Sequence, residues 1–139
     1  MAEGAERHLS LALRYLGEGR ALIDRDPAQA SEKLYEAAEE AVKALALALE
    51  LEHAKAAARE GGWRARLLNR AAEAIAEKLG LEELALWWKA AYYLRVEGFH
   101  EARLDSEDMK RNSRYVEAIV RAAEKVLAPG RRAGEADGG

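Results

Sequence analysis

The chain has 139 residues at 15.3 kDa, which fits one domain and leaves no room for two. Its 31 Ala stand against 2 Pro, 2 Asn, 1 Gln and no Cys, so disulfides and thiolate metal sites are excluded, and the turn residues that a sandwich or barrel needs are missing. A net charge of -3 and a pI of about 5.7 leave no global field to draw in nucleic acid, so any such role must rest on a local patch.

The fold class expected is all-α, a helical bundle of about five helices, because Ala, Leu, Glu, Lys and Arg lose least on entering a helix. The longest apolar run, 44–49, is far short of a membrane span, and the N-terminus carries no signal-peptide pattern. A soluble, cytoplasmic protein is expected, with no membrane partner. Scarce Asn and Gln and absent Cys suit a thermophile.

The first helix is expected over 3–24, with Leu9, Ala12, Leu13, Leu16 and Ile23 on one face; Gly17 and Gly19 weaken its second half. The second starts at Asp26-Pro27, with Gln29 completing a capping-box pattern. Ala30, Leu34, Ala37, Ala41, Leu45 and Ala48 mark its inner face, and it is expected to run to Arg59 and stop at Gly61-Gly62. A third, over 63–79, carries Leu67, Ala71, Ile75 and Leu79, with Gly80 as its stop. The fourth, over 81–96, spreads Leu84, Trp87, Trp88, Ala91, Tyr92 and Leu94 round most of its circumference, so it is either central or shared with a second subunit. After Gly98, Ser106 is the expected cap of a last helix carrying Tyr115, Val116, Ile119, Ala123 and Val126. A helical domain over 1–128 and a disordered tail over 129–139 are expected.

Two Glu-x-x-His spacings, Glu50 to His53 and Glu97 to His100, are the pattern of di-metal helix bundles. Glu50 falls about 180° from the core face of the second helix and His53 about 120°, so no metal and no cofactor is expected. Arg95 is more informative. It falls about 20° from Leu84, so an arginine lies on the apolar stripe, where it must be paired or placed at an interface. His100 follows five residues later, and a break at Gly98 would bring the two together. A His to move protons and an Arg to hold a phosphate suit phosphodiester cleavage. The structural alternative is that Arg95 caps the helix end or pairs with Glu101 or Asp105. The acidic second helix, with Glu32, Glu36, Glu39 and Glu40, reads as a solvated surface. Trp87 and Trp88 suit stacking on bases or, among apolar neighbours, core and interface.

The stretch Leu94-Arg95-Val96-Glu97-Gly98-Phe99-His100-Glu101-Ala102-Arg103-Leu104-Asp105, together with Ala30-Ser31-Glu32-Lys33-Leu34-Tyr35-Glu36-Ala37-Ala38 and the rest of the second helix to Ala46, resembles the PaREP-type archaeal helical proteins, of the HEPN superfamily. The likeness covers residues 9–127. It implies an up-and-down bundle that forms a homodimer, and in many members a metal-independent endoribonuclease whose Arg-x4–6-His motifs meet at the dimer cleft. Arg95 and His100 match that spacing, with Glu101 placed to orient His100, and Val96 departs from the polar residue often found after the Arg. Arg103, Lys110, Arg111 and Arg114 are then candidates for binding RNA. Other HEPN-like domains are non-catalytic binding modules or partners of nucleotidyltransferase-like proteins, and both readings stand open at the level of sequence.

Overall fold

The computed structural model describes residues 2–127; the tail expected over 129–139 lies outside them. The described residues form six α-helices and one π-helical segment, and no strand. They are α1 (Ala2–Leu22), α2 (Pro27–Ala48), α3 (Glu52–Glu60), α4 (Ala65–Leu79), α5 (Glu83–Tyr93), the π-segment (Leu94–His100) and α6 (Ser106–Leu127). No helix among them is long and apolar enough to cross a membrane.

Helix α2 is the centre of the bundle. Eleven of its 22 residues are buried, which is more than one face can supply. It packs against α1, α4, α5, α6 and the π-segment. Ala30, Ala37, Ala38, Ala41, Ala44 and Ala46 are fully enclosed there, so neighbouring helices approach the backbone closely. Gly19 serves the same end on α1: a Cβ on it would stand 2.8 Å from Leu34 Cγ, which explains a glycine inside an unbroken helix. The N-terminus of α2 is built as expected, with Asp26 Oδ1 accepting from the Gln29 amide at 3.2 Å and Pro27 in the first turn.

Three expectations are corrected. The second helix does not run to Arg59. It ends at Ala48, and Glu50, at φ +55°, turns the chain into a separate α3 that buries Ala57 among its nine residues. Gly98 does not break the fourth helix: the α-helix ends at Tyr93 and the chain continues as a π-helix to His100, with the Glu101 amide donating to the Val96 carbonyl at 3.0 Å. Ser106 is not the cap of the last helix. Asp105 Oδ1 accepts from the Asp108 amide at 2.9 Å while Asp108 Oδ2 accepts from the Asp105 amide at 3.2 Å, a reciprocal capping box, and the Ser106 hydroxyl donates to the Ile23 carbonyl at 3.3 Å.

Candidate functional site

The π-segment carries both motif residues and sits on α2. Leu94 and Gly98 face inward and are buried. A Cβ at Gly98 would stand 1.9 Å from Ser31 Oγ and 2.6 Å from Ser31 Cβ, so the segment touches α2 at a point where no side chain fits. Ser31 is buried, donating to the Pro27 carbonyl at 3.0 Å and lying 3.0 Å from Met109 Sδ. Gly98 is thus a contact residue, and the wide turn carries the chain past it. Bonding from i to i+5 also sets residues five apart on successive turns, as Arg95 and His100 are.

Arg95 is spent largely on α2. Its guanidinium lies over the Tyr35 ring, 4.8 Å from the centroid. Glu32 and Glu39, three residues before and four after Tyr35, share that face of α2 and act on the same cation. Burial works against the charge on Arg95, but Tyr35, Glu39 and Glu32 outweigh it and hold the group above its ordinary value. Beneath it, the Tyr35 ring meets Trp88 at 5.6 Å and Tyr92 edge-on at 6.3 Å. Among the described residues its buried hydroxyl has no partner in hydrogen-bonding geometry, and Arg95 is the cation beside it. Burial, then the Glu39 carboxylate, push the phenol up against the pull of Arg95. Trp88 is locked in turn by its indole N–H, which donates to Asn69 Oδ1 at 2.6 Å. Trp88 is therefore core, while Trp87 is half-buried at the surface.

The acidic face of α2 is not simply solvated, as the sequence suggested. Glu32, Glu36, Glu39 and Glu40 are all half-buried. Glu40 Oε1 stands 2.5 Å from His8 Nδ1 and fastens α1 to α2; Lys43 reaches Glu40 at 3.3 Å and Glu39 at 3.6 Å. Helical spacing alone does not single out Tyr35 or the His8–Glu40 pair; an Arg on an apolar stripe is the signal in the sequence that an aromatic or acidic partner lies opposite.

His100 is exposed, and its ring lies 5.6 Å from Phe99. Glu101 reaches Arg103, at 3.3 Å, and Glu97 lies 3.8 Å from the same side chain. Lys110 pairs with Asp24 at 3.4 Å. Arg111 and Arg114 are exposed and line a shallow groove of about 260 Å³ with Glu107 and Lys110. Of the candidate cations, then, Arg95, Arg103 and Lys110 have acidic partners, and Arg111 and Arg114 have no ion pair among the described residues, with Glu107 beside them in the groove. Among the described residues no three His, Asp or Glu side chains come together in a way that could hold a metal ion.

The sequence profile of the archaeal PaREP1/PaREP8 family matches residues 7–120. The crystal structure of a protein from Sulfolobus solfataricus is similar to this chain with a TM-score of 0.77 and 32% identity, covering 84% of this chain and 96% of that one. The solution structure of the Orf c02003 protein gives a TM-score of 0.66 and 31% identity, covering 92% of this chain and 95% of that one. No curated protein matches the chain. A family profile spanning most of the helical bundle, from α1 into α6 and across the Arg95–His100 segment, places this chain in the archaeal PaREP1/PaREP8 family.

Proposed function

We propose that this chain is a HEPN-type helical interaction module in which Arg95 holds the bundle together and does not cut RNA. The observation that carries the reading is the seat of Arg95, over Tyr35 and among Glu32 and Glu39. A cation stacked on an aromatic ring is worth about 0.5–2 kcal/mol, which Arg95 would forfeit to reach a phosphate. The carboxylates around it would also repel that phosphate. The all-helical fold and the likeness of residues 94–105 support the HEPN assignment, and a nucleotidyltransferase-like protein is one partner that such modules take.

The π-turn favours a second reading. It puts Arg95 one wide turn before the exposed His100, and an Arg and a His so spaced support the reading of a metal-independent endoribonuclease. There the ribose 2′-hydroxyl would attack the adjacent phosphorus and expel the 5′-oxygen of the next nucleotide. His100 would move the protons, Arg95 would stabilise the charge on the phosphate, and the products would be a 2′,3′-cyclic phosphate and a 5′-hydroxyl.

Incubation of a mixed-sequence RNA in EDTA with wild type, Arg95→Ala and His100→Ala separates the two. The interaction reading expects no cleavage by any of them. It also expects Arg95→Ala to lose about 1–3 kcal/mol of stability while His100→Ala loses almost none. Wild-type cleavage that vanishes in both variants, at unchanged helicity, overturns it in favour of the nuclease.

A further inference from the structure

Two hollows share one end of the bundle. The first, of about 260 Å³, is walled by Ala5 and Glu6 of α1, Leu47 and Ala48 of α2, Glu50 of the turn that follows, and Val126 and Leu127 at the end of α6. The second, of about 220 Å³, shares Leu47 and Glu50 with it and continues to Ala54, Lys55 and Ala58 of α3. Together they form a trough from the end of α6 across the end of α2 to the flank of α3. Leu47 is its half-buried ridge, with α1 against it: a Cβ at Gly4 would stand 3.6 Å from Leu47 Cδ1.

The charge on the first hollow has one sign. Glu6 and Glu50 are its charged lining residues, both exposed and both without an ion pair among the described residues. What distinguishes them from other unpaired surface charges is the chain that leaves the same hollow. Leu127, one of its walls, is followed by Ala128-Pro129-Gly130-Arg131-Arg132-Ala133. Pro-Gly is the central pair of a type II turn, a pattern that reverses the chain. The sequence thus directs two arginines back over the end of α6, within about 15 Å of chain from Leu127. Ala, Gly and Pro around them are small enough for a shallow trough. The acids Glu135 and Asp137 come after the arginines, as Lys55, which Glu52 approaches at 3.4 Å, comes after the two glutamates along the trough.

We propose that residues 128–139 dock in this trough, with Arg131 and Arg132 on Glu6 and Glu50, as a strap from α6 across the turn between α2 and α3. Exposed ion pairs are weak one by one, but a segment tethered a few residues away is present at an effective concentration in the mM range, about what such a contact needs. Glu50 takes the left-handed turn that separates α2 from α3, so the strap bears on the hinge of a helix that buries one residue of nine. Neither Arg95 nor RNA cleavage enters the proposal.

The chain has no cysteine, so a nitroxide on Ala133→Cys reports the position of the segment without further changes. In the full chain it is expected to broaden the amide signals of residues 5–7 and 47–50 as well as those of 124–127. Adding Arg131→Glu and Arg132→Glu is expected to lower the docked population about tenfold, removing the first two sets and sparing the third. Glu6→Lys and Glu50→Lys in that reversed chain should bring them back. The charge-reversed segment should also let the α3 amides exchange severalfold faster, with those of α2 unchanged. Broadening confined to 124–127, broadening that survives the reversal, or α3 exchange indifferent to it would each overturn the strap. So would broadening in a mixture of spin-labelled chain and unlabelled isotope-enriched chain, since the contact would then run between copies.

Discussion

Tyr35 joins the core to the polar face of α2. Its ring is enclosed by Trp88 and Tyr92 and roofed by Arg95, and the carboxylates beside that cation sit in a half-buried setting where their titration reports on folding. Adjacent residues there carry opposite signs. Burial, aided by Glu40, holds Glu39 above the ordinary value of 4.5 against Lys43 and Arg95. For Glu40, burial is outweighed by His8 and Lys43, and the group lies below 4.5. A raised carboxyl contributes its stability below the unfolded value and loses it as pH rises through the folded one; a lowered carboxyl does the reverse. Glu39→Gln should therefore raise the melting temperature at neutral pH, and Glu40→Gln should lower it. The Glu39 difference should shrink as pH falls toward 4.5, and the Glu40 difference only as pH falls below it. Thermal melts by circular dichroism across that range check this, and a shift of the same sign in both variants at neutral pH would contradict it. The acid-rich face of α2 was plain in the sequence, but its half-burial was not, because helical spacing gives direction on one helix and says nothing of what leans over it.

At the scale of elements, the crossing of the π-segment on α2 turns on one missing methyl group. Adding a Cβ at Gly98 drives it into Ser31, which is held from below by the Pro27 carbonyl and Met109. Overpacking of this kind costs about 1–3 kcal/mol, and more when backbone must move. Gly98→Ala is expected to destabilise by at least that amount in a urea titration, and Ser31→Gly in the same chain to restore part of it. Absence of any recovery would place the strain elsewhere. Where an element is bounded by its own chemistry the sequence was sufficient: Asp26-Pro27 opened α2, and Gly80, in a left-handed conformation, closed α4. The end of α2 was hidden because a glutamate, Glu50, takes the left-handed turn there in place of a glycine. The π-segment was hidden because a glycine needed for contact looks the same in sequence as a glycine that ends a helix. The spacing of Arg95 and His100 was legible for the same reason that their geometry was not, since residue count fixes distance along the chain and the turn type fixes the angle.

For the whole molecule, stability is concentrated round α2 and thins outward. The all-helical architecture was legible from composition, because a chain so rich in alanine and poor in turn residues has no other economical way to satisfy its backbone. The order of layers was not, since several helices have apolar faces of similar width. At one margin, α3 contributes one buried residue, Ala57, and is bracketed by left-handed turns at Glu50 and Gly61. Its His53 Nδ1 is buried with no hydrogen-bond partner among the described residues. Such a segment can detach while the remaining helices keep their packing, as a sub-global opening of low free energy. Native-state hydrogen exchange should show the amides of α3 exchanging far ahead of those of α2, through an opening that urea barely accelerates because little surface is exposed. Protection in α3 equal to that in α2 would mean that the two rise and fall as one unit. If α3 opens first, the chain has a stretch that proteases reach while the bundle is still folded, and the cut would fall between Glu50 and Gly61.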